Sequence, residues 1–381
     1  MSNKRLHIVA FDVPYPPNYG GIADVFYKLK SLHAAGAEII YHCFYYKGHN
    51  PPTEELRKYC AQLFYYERKQ SLFKLLMNGR PYIVDTRRDI TLLTRLLADP
   101  ETPILFDGIQ CTYWILHKDI KTRFILYRAN NIEHEYYEGL ARVERNFLKK
   151  LYLKWEAKKL RRYEWILENA NVILCVARQD IPHFEQYAKT IHLPPFFDDT
   201  HSIDLSIPQK EKFALFQANL SVKENENAAI HIIQRIAPLT DHTIKIAGRH
   251  PSQKLKKLAA TQSNIELIDT PPQEVMSDLI REAQVHLLIT FQQTGIKLKL
   301  LHALQSGRHI IINNYMDDDG IFADMCDVVN QSNEIAKRID ELMGVKFTAE
   351  MKAERDAKFN AIYSNKKKAL DILKTIENIE E

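Results

Sequence analysis

Near the C-terminal end of the chain, Thr294-Gly295-Ile296-Lys297-Leu298-Lys299-Leu300-Leu301-His302-Ala303-Leu304-Gln305-Ser306-Gly307 precedes the apolar run Ile310-Ile311-Ile312. The pattern predicts a loop that turns into a short helix, stops at a glycine and enters a buried strand. Thr294 can cap the helix, and Gly295 lets backbone approach a ligand closely. The first-turn amides, with Lys297 and Lys299 beside them, then offer a seat for a diphosphate. The same residues also fit an ordinary strand-loop-helix-strand unit with two surface lysines.

Three other segments combine polar chemistry with a strand end. The first is His7-Ile8-Val9-Ala10-Phe11-Asp12, which runs through a proline-rich turn to Gly20-Gly21. A helix is expected from there, because Ile22, Val25, Phe26, Leu29 and Leu32 recur at helical spacing. Bare amides at Gly20 and Gly21 suit phosphates or an acceptor. The spacing G-x-G-x-x-G is absent, so this is no dinucleotide fingerprint. The second is Tyr127-Arg128-Ala129-Asn130-Asn131-Ile132-Glu133-His134, which follows the apolar Phe124-Ile125-Leu126. Ligands of open α/β sheets bind at such strand ends, although Asn131, Glu133 and His134 equally suit a helix cap. The third, Phe216-Gln217-Ala218-Asn219-Leu220-Ser221-Val222-Lys223-Glu224-Asn225, offers Asn219 and Lys223, with Asn225 available as a cap.

Together these segments resemble the large retaining glycosyltransferase family four of GT-B fold. Gly295, Ala303 and Gly307 fall in register with its donor motif, and Lys299 matches a lysine of one subgroup. The two glutamates of that motif are replaced by Thr294 and His302, so the chain reads as a divergent member. Arg128, Asn131, Glu133 and His134 match an Arg-x-His-Asn-x-Glu-His stretch of related bacterial enzymes. In the Phe216–Asn225 segment, Asn219 stands for the family's arginine and Glu224 for its lysine, with Lys223 one place earlier. The resemblance implies a nucleotide-diphosphate sugar as co-substrate and no further cofactor. It places the donor near Gly20, Gly21, Asn219, Lys223, Arg249, Thr294, Gly295, Lys297, Lys299 and His302. His134, with Arg128 and Glu133, is expected at the reacting sugar, and no metal site is expected. The acceptor would be a glycan or lipid-linked molecule in cell-surface polysaccharide assembly. A catalytically inactive homologue that binds a sugar nucleotide or a partner enzyme is the alternative, and a GT-B sugar-nucleotide epimerase is the second.

Composition narrows the class. The 381 residues are 45% hydrophobic and 26% charged, as expected of globular protein with two domains. No run of 18 apolar residues and no signal peptide is read, so the expectation is a cytoplasmic chain. Cys43, Cys60, Cys111, Cys175 and Cys326 are scattered without metal-ligand spacing. The net charge of +4 is small, and with no recognition motif nucleic acid is not an expected partner. The charge is uneven. Arg142, Arg145, Lys149, Lys150, Lys154, Lys158, Lys159, Arg161 and Arg162 are threaded by Leu148, Leu151, Trp155 and Leu160. This basic amphipathic helix reads either as a solvated surface helix paired with Glu144 and Glu156, or as a peripheral contact with an anionic membrane at the inner face of the cell membrane.

Strand-like runs near 6–12, 38–45, 103–107, 123–127, 171–176, 212–217, 243–247, 264–268, 284–290 and 308–313 alternate with helical patterns. The alternation predicts an α/β chain with parallel sheets covered by helices, and the resemblance implies the GT-B arrangement of two facing Rossmann-like domains with an interdomain cleft. Residues 1–190 are expected to form the first domain, which the resemblance makes the acceptor side. Residues 191–210, with Pro194-Pro195, read as a linker, and residues 211–345 as the second domain, which the resemblance makes the donor side. By resemblance, residues 346–381 are a C-terminal helix crossing back to the first domain.

Overall fold

A computed structural model describes residues 4–17, 20–70, 79–200, 202–207, 209–291, 298–317 and 320–377. Thr294, Gly295 and Lys297 lie outside the described residues. The chain forms two units. One comprises Met1–Phe197 and Asn365–Glu381, the other Asp198–Ser364.

The first unit holds a seven-stranded parallel sheet in the order β3-β2-β1-β4-β5-β6-β7. Its strands are β1 (Arg5–Ala10), β2 (Glu38–Tyr45), β3 (Gln62–Glu67), β4 (Ile104–Asp107), β5 (Ile125–Ala129), β6 (Val172–Cys175) and β7 (Lys189–His192). Its helices are α1 (Gly20–Ala34), α2 (Tyr82–Asp85), α3 (Ile90–Leu97), α4 (Glu133–Val143), α5 (Phe147–Tyr163) and α6 (Ile181–Phe184). Period-two alternation sends neighbouring residues to opposite faces. Ile8, Leu105, Leu126 and Leu174 pack with Val25, Leu29 and Leu32 of α1. Val9, Phe106, Tyr127 and Ile173 pack on the other face with Leu92, Leu96 and Leu160. Both faces are covered, so the central strands read as unbroken apolar runs.

The second unit holds a six-stranded parallel sheet in the order β10-β9-β8-β11-β12-β13. Its strands are β8 (Ala214–Gln217), β9 (Ile244–Gly248), β10 (Ile265–Asp269), β11 (Val285–Leu288), β12 (His309–Ile312) and β13 (Asp327–Val328). Its helices are α7 (Lys223–His231), α8 (Gln253–Ala259), α9 (Gln273–Glu282), α10 (Leu298–Ser306), α11 (Ser332–Gly344) and α12 (Ala349–Tyr363). Gly307, which ends α10, is required by packing. A Cβ there would lie 2.4 Å from the His286 ring and 2.7 Å from the Ala303 carbonyl oxygen.

Two boundaries differ from those expected from sequence. Residues 189–197 belong to the first unit: Lys189–His192 is its edge strand, and Leu193, Phe196 and Phe197 are buried. The prolines follow that strand within the same unit. The expected single C-terminal helix breaks at Ser364. The Arg355 guanidinium of α12 donates to the carbonyls of Gly307 (2.6 Å) and Arg308 (2.5 Å), inside the second unit. The last helix, α13 (Asn365–Glu377), packs on α1 in the first unit through Ala369, Ile372 and Leu373.

Candidate functional site

In the first unit the polar residues gather where β1, β4 and β5 end. Glu133 opens α4 directly after β5 and is buried. Burial pushes its carboxyl up to about 7, against hydrogen bonds from Gln110 and Asn131 that favour the charged form. Gln110 reaches this position from the turn after β4, where Gly108 adopts φ +86° and the amide oxygen of Gln110 lies over its Cα. Arg87 stands behind the carboxylate. It is buried, and its guanidinium donates to Phe11 O (2.9 Å) and Ile83 O (2.7 Å). Asp12, beyond β1, meets His49 Nδ1 at 2.5 Å. Asn130 keeps a buried Oδ1 that accepts no hydrogen bond among the described residues. Gly20 and Gly21 are the half-buried first residues of α1. The result is a buried carboxyl group, raised by desolvation, beside amide donors at the carboxyl end of the parallel strands.

Arg128 does not join this cluster. It is fully buried, and its guanidinium binds Asp24 Oδ1 at 2.7 Å and Oδ2 at 3.2 Å. It also donates to the carbonyls of Leu193 (2.5 Å) and Pro194 (3.2 Å). Lys28 bridges Asp24 (3.2 Å) and Asp107 (2.8 Å). The Phe196 amide donates to Asp24 Oδ1 at 2.8 Å. From α13, Lys368 Nζ donates to Pro195 O at 2.5 Å. Burial alone would raise the Asp24 carboxyl, but the Arg128 and Lys28 charges outweigh it and hold the group well below the usual range. The four charges compensate each other and tie α1, β4, β5 and the 193–196 segment together. The site role that resemblance suggested for Arg128 is thus replaced by a structural one, because the side chain turns inward on the α1 face.

His134 is likewise engaged. Its Nδ1 lies 2.8 Å from Glu164 Oε1, at the end of α5, and both residues are buried. His183 of α6 approaches the other oxygen of Glu164 at 3.2 Å.

In the second unit, Asn219 closes a turn after β8, accepting from the Ser221 amide (3.1 Å) and hydroxyl (2.7 Å). Asn225 is not the helix cap. It is the third residue of α7, and its amide reaches back to Asn219 O at 3.0 Å. Lys299, in the first turn of α10, lies 3.5 Å from Asn225 Oδ1 and 5.4 Å from the Phe216 ring centre. These contacts bring Asn219, Asn225 and Lys299 to one place. Lys223 is exposed and pairs with Glu226 at 2.7 Å. Arg249 is exposed just beyond β9, without an ion pair among the described residues. His302 is half-buried one turn after Lys299. Sequence reasoning missed Gln110, Arg87 and Asp12. Asp12 alone carried a signal, as a lone acid closing an apolar run.

The basic segment folds as a hairpin of α4 and α5. Its tip exposes Val143 (71%), Phe147 (74%), Leu148 (75%) and Leu151 (56%). Glu144 pairs with Lys149 at 2.8 Å, but Glu156 turns inward and accepts from the Ile83 amide. No helix among the described residues is long and apolar enough to cross a membrane.

No family model matches the chain. It is 23% identical over 337 residues to an uncharacterized 44.6 kDa protein in the cps region of Klebsiella pneumoniae, covering 81% of this chain and 82% of the other. Solved structures match it end to end at low identity. HepE of Anabaena in complex with UDP gives a TM-score of 0.63 at 11% identity, covering 98% of this chain and 100% of the other. A glycosyltransferase from Rickettsia africae gives 0.59 at 12%, covering 98% of each chain. The α,α-trehalose 6-phosphate synthase of Burkholderia multivorans gives 0.57 at 11%, covering 100% of each. Two helix-covered parallel sheets, of seven and six strands, together with these neighbours, make the fold that of the GT-B glycosyltransferases.

Proposed function

We propose that the protein is a glycosyltransferase that moves a sugar from a nucleotide-diphosphate sugar to a glycan or lipid-linked acceptor, in cell-surface polysaccharide assembly. The observation that carries this reading is the end-to-end fold match to a protein crystallised with UDP and with UDP and glucose. The relative in a cps region agrees with it. The first unit would hold the acceptor and the second the donor. Lys299 and the opening amides of α10 would meet the leaving diphosphate, so that charge developing on it is stabilised by preorganised donors without a metal. Glu133, with Gln110 and Asn131, would orient a hydroxyl near the reacting carbon. Retention of anomeric configuration is the expected outcome, following the resemblance described above.

The hairpin tip supports a lipid-linked acceptor. Four exposed apolar side chains flanked by Arg142, Arg145, Lys149, Lys150 and Lys154 suit an anionic membrane surface. Each basic residue near such a surface contributes about 1 kcal/mol.

The test is a panel of nucleotide sugars, with release of nucleoside diphosphate followed with and without a lipid-linked acceptor. Transfer should require the acceptor, and Glu133→Gln should abolish turnover while leaving donor binding intact. Conversion of the donor alone would identify an epimerase. Binding without turnover would favour an inactive homologue, a reading to which the self-satisfied Asn219 and the Lys223–Glu226 pair lend weight.

A further inference from the structure

The second cluster of chemistry lies at the base of the α4–α5 hairpin. His134, Glu164 and His183 each offer one ligand atom, and these atoms lie within 4.8 Å of one another. They come from three elements: the second residue of α4, the residue following α5, and the single turn of α6. Glu164 faces His134 Nδ1 with one oxygen, at 2.8 Å, and His183 Nε2 with the other, at 3.2 Å. The two imidazole rings are 5.5 Å apart and inclined at 50°.

We infer that this cluster is a binding site for a divalent transition cation, zinc by preference. Two imidazoles and one carboxylate form a donor set suited to zinc, with water completing a tetrahedral shell. The spacing is within reach of this: ligands about 2.0–2.2 Å from a common ion lie roughly 3–3.5 Å from each other, and the three atoms, within 4.8 Å, need only draw closer. The rearrangement is small. Each histidine moves its proton to the ring nitrogen that faces away, which frees a lone pair toward the ion, and Glu164 is an anion that offsets its charge. The side chains are already immobilised, since His134 and Glu164 are buried and only 22% of the His183 side chain is exposed. The cation is structural and takes no part in the transfer proposed above. It pins the start of α4 to the end of α5, and so fixes the hairpin whose apolar tip is exposed.

The test uses the full chain, stripped with chelator and titrated with zinc chloride by calorimetry. Cobalt chloride is added in parallel, because tetrahedral cobalt absorbs in the visible. One equivalent should bind, the cobalt spectrum should show tetrahedral coordination, and the melting temperature should rise by about 5–10 °C at a hundredfold excess over Kd. His183→Ala leaves the buried pair in place and should lose the stoichiometric site and the spectrum. Glu164→Gln should do the same. The chain has 15 histidines, so a His183→Ala protein that binds cobalt with unchanged stoichiometry and spectrum would overturn the assignment. A parent protein with no tetrahedral cobalt band would overturn it equally, whether or not Glu164→Gln folds.

Discussion

Replacing Arg128 by methionine separates a structural role from a catalytic one. In the structure its guanidinium makes two contacts with Asp24, at 2.7 and 3.2 Å, and donates to the carbonyls of Leu193 and Pro194. Methionine fills much of the volume but leaves Asp24 and Asp107, in a fully buried site, with Lys28 as their one cationic partner among the described residues. Removing one member of a buried ion network costs about 3–5 kcal/mol, because the remaining charge is uncompensated. The unit affected has about 200 residues, for which each kcal/mol lowers melting by about 2–4 °C. Arg128→Met should therefore lower the melting of the first unit by about 6–20 °C, the loss of about 3–5 kcal/mol being a large part of a typical stability of about 5–15 kcal/mol. The assay is thermal unfolding, with limited proteolysis as a local probe. Cleavage near residues 193–197 should accelerate first, because two of their carbonyls lose a donor. The depressed Asp24 carboxyl sets the pH dependence. Its contribution is present above the ordinary aspartate range and is lost as pH falls toward its low folded value. The gap between parent and variant should therefore be constant from pH 8 to 5 and narrow only below about pH 4. An Arg128→Met protein that melts within about 1 kcal/mol of the parent but has lost turnover would refute this reasoning and return Arg128 to the site.

Three further outcomes are expected. Lys299→Ala should weaken nucleotide-sugar binding by about 1–3 kcal/mol, the scale of a charge-assisted hydrogen bond, and unchanged affinity by calorimetry would remove Lys299 from the diphosphate seat. Replacing Phe147, Leu148 and Leu151 together by serine should release the protein from anionic vesicles without lowering its melting temperature, since these side chains are exposed; retention on vesicles would place the contact elsewhere. Gly307→Ala should destabilise the second unit measurably in thermal unfolding, because the added Cβ would lie 2.4 Å from the His286 ring; an unchanged melting curve would show that α10 shifts freely.

Ten strands were legible, nine of them because parallel strands covered on both faces become continuous apolar runs, and the edge strand β10 through its alternating Ile265, Leu267 and neighbouring Ile268. The three not foreseen, β3, β7 and β13, are all sheet edges. Edge strands are covered less completely, so their composition is mixed: Lys189-Thr190-Ile191-His192 is exposed at its first residue and half-buried along the rest. The prolines at 194 and 195 signalled a break, but their sequence context could not show that Leu193, Phe196 and Phe197 are buried in the first unit. The end of α12 was also invisible. No glycine or proline lies between Ala349 and Glu377, and the helix stops where Asn365 donates to Phe197 O at 2.7 Å.

By itself, the sequence determined two α/β units, the helix after Gly20, and polar residues at strand ends, because these follow from local periodicity and from turn chemistry. It also determined that Glu133 and Lys299 open helices next to strand ends. Which groups met was decided only in three dimensions. Arg128 and Asp24 are 104 residues apart, and their pairing depends on α1 lying over β5. Gln110 reaches Glu133 because β4 and β5 are neighbours in the sheet. His134 and Glu164 are separated by 30 positions, and Glu164 and His183 by 19, so no local spacing marks them as a group. Charge pairing and ligand geometry depend on distance through space, and only the packing of sheet and helices sets that distance.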